Sequence, residues 1–281
     1  MQQIILLGAG QMGRSAMQLV NRAHREVIAF ADNNPRLQGT DFCGCPVVSV
    51  EQAVAMAPDG ILIAVAGEER TVQLRQQLQQ LGYSGRVETL ADFSRMLDIR
   101  AAVFARLAQR LDGIPGAAAE LGVYRGEFAR EINRLMPQRK LYLFDTFTGF
   151  DEKDLATERA GGYSKAAAGD FSDTDFSQLL AGMTTPEQIV IRKGYFPHTT
   201  AGLEDQFAFV SLDADLYAPT LCGLQWFYPR MVSGGVILLH DYHNERFSGV
   251  RAAVSDYEQA HGSLLLLPVG DLHGSVMVIH P

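Results

Sequence analysis

Ala117-Ala118-Ala119-Glu120-Leu121-Gly122-Val123-Tyr124-Arg125-Gly126 is the stretch on which the fold turns. A short apolar strand runs into an acid and a glycine turn, and a helix-like stretch follows. The glycines predict a tight turn whose backbone can approach a ligand with no Cβ in the way. Glu120, at the strand end, is placed to bind an amino group or a hydroxyl. The next apolar run, Leu141 to Phe144, ends at Asp145, where a carboxylate can accept hydrogen bonds from both hydroxyls of a ribose. The plain alternative is a strand–helix turn beside a solvated edge carboxylate.

Outward from this turn the alternation continues. Ile189 to Ile191, Phe207 to Leu212 and Val236 to Leu239 read as strands, with helical stretches between most of them. That order predicts a parallel sheet covered by helices. The ending differs: Leu264 to Leu267, a turn through Gly270-Asp271, then Ser275 to Ile279. Two strands joined by a short polar turn form an antiparallel hairpin, and a parallel sheet finished this way suggests the methyltransferase version of the Rossmann architecture. The Gly-, Ala- and Ser-rich segment from about Ala156 to Asp173 reads as a mobile loop over a site.

Before the turn lies a second alternating unit. Ile4 to Leu7 is a strand, Gly8-Ala9-Gly10-Gln11-Met12-Gly13 opens a helix, and Val27 to Ala31 is a strand ending at Asp32. Ile61 to Val65 and the region of Val87 read as further strands, with a helix over Thr71 to Leu81 between them. Met96, Leu97, Ile99, Val103, Phe104, Leu107 and Leu111 then recur at helical spacing until Gly113-Ile114-Pro115-Gly116 breaks the pattern. The expected organisation is therefore α/β: two tandem Rossmann-like domains, residues 1–90 and 113–281, joined by a helical connector over 91–112.

Composition narrows the function. The 281 residues are 47% hydrophobic and 20% charged, enough for two cores. No apolar run reaches the length of a membrane span, and Met1-Gln2-Gln3 does not open a signal peptide, so a cytoplasmic location and no membrane partner are expected. A net charge of −8 argues against a nucleic-acid partner, though not against a small anionic ligand held locally. Cys43, Cys45 and Cys222 are too few for a disulfide framework. Cys43-Gly44-Cys45 reads as a turn rather than half of a metal site.

Two further strands end in acids. One gives Ser211-Leu212-Asp213-Ala214-Asp215-Leu216-Tyr217, the other Leu238-Leu239-His240-Asp241-Tyr242-His243. Strand C-terminal ends line the ligand crevice of a parallel sheet, so Asp213 and Asp241 are expected on one rim. Converging carboxylates repel unless a cation or a proton intervenes, and a hard divalent ion such as Mg²⁺ or Mn²⁺ suits oxygen ligands. The alternative is that these acids cap the next helices. Asp215 fits capping well, ahead of Tyr217-Ala218-Pro219.

These motifs carry a resemblance. The segment from about Ala117 to Ala260 resembles the macrocin O-methyltransferase family, sugar O-methyltransferases of macrolide biosynthesis and their relatives. The shared pieces are the Glu120 to Gly126 turn, Phe144-Asp145-Thr146-Phe147-Thr148-Gly149-Phe150 and Lys193-Gly194-Tyr195-Phe196-Pro197-His198-Thr199. Leu212 to Tyr217 and the Gly234 to Tyr242 run complete them. The resemblance implies a class I methyltransferase sheet, S-adenosylmethionine as cofactor, Mg²⁺ dependence and a sugar-containing small-molecule substrate. By position it implies Glu120, Gly122 and Gly126 around the methionine end of the cofactor, Asp145 on the ribose, and Gly194 and Tyr195 beside the adenine. It implies Asp213 and Asp241 on the metal. Where the family usually has Asp-Asp-Tyr, this chain has His240-Asp241-Tyr242. His240 either joins the metal site, weakening Mg²⁺ in favour of a more borderline metal, or faces away.

The mechanism this implies is direct methyl transfer to a hydroxyl, aligned by a metal on Asp213 and Asp241, with Asp213 or His243 accepting the proton. His198 also lies in a site loop, whereas His24, His261, His273 and His280 read as peripheral. Trp226, Phe227 and Tyr228 read as packing against the sheet. In the N-terminal unit, Gly8, Gly10 and Gly13 fit the dinucleotide fingerprint, with Asp32 where a ribose-binding acid is expected. That unit also resembles the small Rossmann domains that open some sugar-modifying enzymes. A nucleotide or nucleotide-sugar site, an NAD-like site, and a structural role in a homo-oligomer remain open for it. Two other functions compete: an NAD-dependent oxidoreductase using the N-terminal fingerprint, and a non-catalytic nucleotide-sugar-binding or scaffold protein with a degenerate methyltransferase domain.

Overall fold

The structure is a computed structural model that describes residues 1–281, with the side chains of 176 and 177 outside the description. It is mixed α/β, with two sheets of mostly parallel strands. The chain divides into two compact units, Met1–Asp98 and Ile99–Pro281.

The first unit comprises β1 (Gln2–Leu7), α1 (Gln11–Leu19), β2 (Arg25–Ala31), β3 (Asp41–Phe42), β4 (Cys45–Val48), α2 (Val50–Ala55), β5 (Gly60–Ile63), α3 (Glu68–Gln80), β6 (Arg86–Thr89) and α4 (Leu90–Met96). Its sheet runs β3-β4-β2-β1-β5-β6, parallel except for the β3–β4 pair. Cys43 and Gly44 turn that hairpin with positive φ, so the Cys-Gly-Cys stretch is a turn. The core is aliphatic, built from Ile5, Leu7, Val50, Ile61, Ile63 and Leu78.

The second unit comprises α5 (Ile99–Leu111), β7 (Ala117–Leu121), α6 (Glu127–Leu135), β8 (Leu141–Asp145), α7 (Glu152–Gly161), α8 (Phe176–Ala181), β9 (Ile189–Lys193), β10 (Phe207–Leu212), α9 (Tyr217–Phe227), β11 (Met231–Leu239), α10 (Gly249–His261), β12 (Leu265–Pro268) and β13 (Val276–Ile279). The sheet order is β12-β13-β11-β10-β7-β8-β9, with β13 alone running antiparallel to its two neighbours. The stretch read as one connector is thus two helices, α4 in the first unit and α5 in the second.

Both faces of the second sheet are buried, which is why its strands read as continuous apolar runs. Tyr142, Phe144, Ile237 and Leu239 join α7, α9 and α10 on one face. Leu141, Leu143, Val236 and Leu238 join α5 and α6 on the other. Phe227 is fully buried on α9, with Trp226 packed against the same core and its ring 6.2 Å from Phe144. Strand order reverses at β7, which has β8 on one side and β10 on the other, so the ligand crevice belongs at the ends of β7 and β10.

One expectation is corrected. The segment from 156 to 173 is not loop throughout, because α7 continues to Gly161. Asp151 caps it by accepting from Lys153 N at 2.9 Å, and Gly162, at φ 64°, ends it. The alanines counted as loop composition are strong helix formers, and Leu155 anchors the helix in the core. The following turn is also held, since the Tyr163 ring stacks 5.1 Å from Tyr217.

Candidate functional site

The strand ends are locked in register. Gly122 N donates to Phe144 O at 3.0 Å, Asp213 N to Leu121 O at 2.8 Å and His240 N to Leu212 O at 3.0 Å. Hydrogen bonding therefore continues past the ends of three strands and brings Gly122, Asp213 and His240 side by side.

The glycines serve packing more than ligand approach. Gly122 sits at φ +85°, where a Cβ would lie 2.0 Å from the Asp213 carbonyl oxygen. Gly126 sits at φ +73°, where a Cβ would meet Leu179 Cγ at 2.8 Å. Asp145 shapes the same turn. Its Oδ2 accepts from Val123 N at 2.7 Å and Tyr124 N at 2.9 Å, and its Oδ1 accepts from Phe147 N at 2.7 Å. A carboxylate oxygen has two lone pairs, so acceptor capacity remains.

Glu120 is 2% exposed. Its Oε1 accepts from Ser211 Oγ at 3.3 Å, while Oε2 is buried without a partner. Burial, added to by the charges of Asp213 and Asp145, raises its pKa well above the usual carboxylate value, against a smaller opposing pull from Arg100. A buried acid with an unused oxygen suits a cationic ligand, and S-adenosylmethionine carries both an ammonium and a sulfonium, so the residues fit that cofactor. One consequence is measurable. The folded chain holds a proton on Glu120 that the unfolded chain releases near about pH 4.3. Stability present below that value is therefore lost as pH rises through the folded pKa. Glu120→Gln is expected to raise the melting temperature at pH 8, with the gain vanishing toward pH 4, and to weaken S-adenosylmethionine binding. An equal or lower melting temperature at pH 8 would show that the buried carboxyl carries no such penalty.

Beside Glu120 lies a charged cluster. Arg100, in the first turn of α5, donates from Nη1 to Asp213 Oδ2 at 2.7 Å, and its guanidinium lies 4.0 Å from the centre of the Phe128 ring. His240 faces the cluster. Its Nδ1 is 2.9 Å from Asp213 Oδ1 and 3.1 Å from Asp241 Oδ2, shared between them without a well-aligned hydrogen bond to either. Asp241 Oδ1 accepts from Asn244 Nδ2 at 2.6 Å. Burial works against charge on Asp213, yet His240 and Arg100 hold its pKa far below the carboxylate range. Burial likewise opposes charge on His240 and on Asp241; their mutual contact, with Asp213 also beside His240, raises the first well above its ordinary value and lowers the second.

Asp215 belongs to this cluster, which corrects its reading as a helix cap. The N-cap of α9 is Leu216, and no side chain caps it. Asp213, Asp215 and Asp241 each bring an oxygen within 4.8 Å of the others. Burial, then the charges of Asp213 and Asp241, raise the Asp215 pKa well above normal, with its side chain hydrogen-bonded to Asp241. Asp215 and Asp241 both sit at φ 58°, a left-handed conformation uncommon outside glycine though better tolerated by Asp. Nothing in the sequence pattern separated Asp215 from a cap.

The structure also brings in a further histidine. His273, read as peripheral, has its ring 5.0 Å from His240 and groups with His240 and Asp241. His243, expected as a proton acceptor, belongs to neither of the two groups formed among the described residues. Gly194 N donates to Asp145 O at 2.9 Å, which sets the Gly194-Tyr195 turn at the end of β8, and the Tyr195 hydroxyl donates to Asp154 Oδ1 at 2.7 Å.

A divalent cation would enter an arrangement already compensated by positive side chains. The spacing of the three acids is compatible with one, but all four oxygens of Asp213 and Asp241 already face nitrogen groups of Arg100, His240 or Asn244. The Mg²⁺ or Mn²⁺ expected on Asp213, His240 and Asp241 would have to compete with these groups.

In the first unit, Asp32 mirrors Asp145: Oδ2 accepts from Ala9 N at 2.8 Å and Oδ1 from Asn34 N at 2.8 Å. Gly8 at φ +122° packs against Ala64 O, and a Cβ on Gly13 would lie 2.0 Å from Gly8 O. A Cβ on Gly10 would meet nothing within 4 Å.

With this geometry in hand, comparison with known proteins is specific. The family model described as Macrocin-O-methyltransferase (TylF) matches residues 68–271. An 8-demethyl-8-(2,3-dimethoxy-alpha-L-rhamnosyl)-tetracenomycin-C 4'-O-methyltransferase of Streptomyces olivaceus is 27% identical over 206 residues, 66% of this chain and 73% of its own. A mycinamicin III 3''-O-methyltransferase of Micromonospora griseorubida is 30% identical over 172 residues, 54% of this chain and 63% of its own. Among solved structures, the O-methyltransferase NovP superposes with a TM-score of 0.53 at 20% identity, covering 65% of this chain and 80% of its own. A calicheamicin methyltransferase gives 0.53 at 19% identity, covering 76% and 94%. At such identities these two structures speak for the fold.

Proposed function

The chain belongs to the macrocin O-methyltransferase family, and from that premise we propose that it methylates a hydroxyl of a sugar, presented as a nucleotide-sugar or a glycosylated metabolite. The relatives whose names specify methylation of sugar-bearing antibiotics support the acceptor class. The single observation that carries the site assignment is the buried, unpartnered Glu120 Oε2 at the crevice between β7 and β10, beside the acid cluster. Family membership makes the chain an S-adenosylmethionine-dependent methyltransferase and sets aside the oxidoreductase and scaffold readings.

When bound, the cofactor supplies an electrophilic methyl group. Glu120 balances its positive charge, Gly122 and Gly126 hold the turn against it, Asp145 accepts from the ribose, and Gly194 and Tyr195 border the adenine. Asp213 is a weak base, because Arg100 and His240 stabilise its charged form. Asp215 lies in the same cluster with its pKa raised by burial, and it can take the acceptor's proton once a nearby positive charge has released its own. A nearby positive charge favours its ionised form. His243 has no assigned part. Formation of S-adenosylhomocysteine, measured over a panel of nucleotide-sugars and rhamnosylated aglycones, tests the acceptor class. Turnover confined to catechols or other non-sugar hydroxyls would reject it.

We propose in addition that the Gly8–Gly13 turn of the first unit receives the phosphates of a nucleotide or nucleotide-sugar. The open space at Gly10, where Gly8 and Gly13 are filled by protein, favours this reading. Gly10→Ala is expected to leave stability within about 0.5 kcal/mol and to weaken binding of a uridine or thymidine diphosphosugar in calorimetry. Absence of diphosphosugar binding to the unaltered chain would leave the unit a structural role.

A further inference from the structure

We infer that methyl transfer at this site proceeds without a bound divalent cation, the guanidinium of Arg100 and the imidazole of His240 standing where a metal would otherwise compensate the acids. The inference rests on the proposed methyltransferase reading of the crevice.

The observation is one of charge compensation, with a nitrogen group beside each of four oxygens. Asp213 Oδ2 receives Arg100 Nη1 at 2.7 Å, and Asp213 Oδ1 faces His240 Nδ1 at 2.9 Å. Asp241 Oδ2 faces the same imidazole nitrogen at 3.1 Å, and Asp241 Oδ1 receives Asn244 Nδ2 at 2.6 Å. A cation bridging Asp213 and Asp241 would have to displace the guanidinium and the imidazole that already compensate these oxygens. The His240 half of the argument holds with a proton on Nδ1, as in the imidazolium and in the Nδ1–H tautomer.

Arg100 is permanently charged, which makes it the stronger half of the device. It is fixed at both ends of its chemistry: the guanidinium pairs with Asp213 while its face covers the Phe128 ring at 4.0 Å. Its side chain is 16% exposed, so water screens it little. A dication entering between Asp213 and Asp241 would meet this guanidinium at close range in a weakly screened setting, and it would have to displace the imidazole as well. With the acids already compensated, no ion is needed to let them converge. The acceptor hydroxyl is then held by carboxylates whose positions Arg100 and His240 fix, and catalysis comes from orientation and proton acceptance. Arg100 and His240 are on this account positioning residues.

Mn²⁺ is a direct probe, because free aqueous Mn²⁺ gives a sharp paramagnetic resonance signal that is lost on binding. The full chain, stripped with chelator and loaded with S-adenosylhomocysteine, is titrated with Mn²⁺, and loading is checked separately by calorimetry. The inference predicts that the unaltered chain shows no loss of free-ion signal that depends on Asp213. Signal loss that persists in Asp213→Asn reports another site and leaves the prediction met. Stoichiometric signal loss that Asp213→Asn abolishes overturns it. His240→Asp, and His240→Asp combined with Arg100→Gln, are expected to bind Mn²⁺ at least about tenfold more tightly, a gain of about 1.4 kcal/mol. Circular dichroism melts confirm that the variants fold. If the unaltered chain and both folded variants are equally blind to Mn²⁺, these two residues are not what excludes the metal, and the inference fails. Failure of S-adenosylhomocysteine to bind would instead count against the methyltransferase reading of the crevice.

Discussion

Asp215→Asn is expected to slow methyl transfer on the order of 10²- to 10⁴-fold while leaving cofactor affinity within about twofold. Asn is nearly isosteric, so the turn before α9 keeps its shape, and Asn tolerates the left-handed φ of 58° found there. What it lacks is a basic oxygen. Asp213 cannot substitute, because Arg100 and His240 hold its pKa far below the working range. A proton acceptor contributes only to the step in which the proton moves, so the loss should fall on kcat rather than on KM. The measurement is steady-state formation of S-adenosylhomocysteine with a turned-over sugar acceptor, paired with calorimetry for the cofactor. A rate within threefold of the unaltered enzyme would remove Asp215 from proton transfer.

Gly122→Ala is expected to destabilise the second unit by about 3 kcal/mol or more, because two penalties coincide. The residue sits at φ +85°, and its new Cβ would lie 2.0 Å from the Asp213 carbonyl oxygen and 2.7 Å from the carbonyl carbon. Neither contact is with a flexible side chain. Relief requires parting the ends of β7 and β10, which are held there by Asp213 N donating to Leu121 O at 2.8 Å. The same displacement moves Asp213 away from Arg100, so cofactor binding and activity should fall with stability. Thermal melting of the second unit should shift down by several degrees. Unchanged melting would mean that the turn accommodates a side chain, and the close approach would lose its structural meaning.

Much of this molecule is readable from its sequence, and the reasons are physical. Ala117 to Leu121, Phe207 to Leu212 and Val236 to Leu239 are buried on both faces, so each appears as an apolar run, interrupted only by Glu120 and Ser211. The rim formed by Glu120, Asp145, Asp213 and Asp241 follows from the rule that parallel strands present their C-terminal ends to one crevice. What escaped notice depends on tertiary contacts. Helix α7 was hidden in a composition shared by loops and helices, and only the burial of Leu155, Asp154 and Glu158 distinguishes it. Asp215 looked like a cap because the sequence cannot show that its φ is positive and its carboxyl turned toward Asp241. His240 left two orientations open, and its contacts with Asp213 and Asp241 decide between them. Arg100 lies 113 positions from Asp213 in the chain, so no local pattern could pair them.

The central claim is that the crevice at the ends of β7 and β10 binds S-adenosylmethionine. Calorimetric titration of the full chain with S-adenosylmethionine, repeated on Asp145→Ala and Glu120→Gln, tests it most directly. The account predicts one saturable site per chain, weakened in both variants. Each hydrogen bond lost between Asp145 and the ribose is worth on the order of 1.5–3 kcal/mol at most. No saturable binding, or an affinity unchanged in both folded variants, would contradict it.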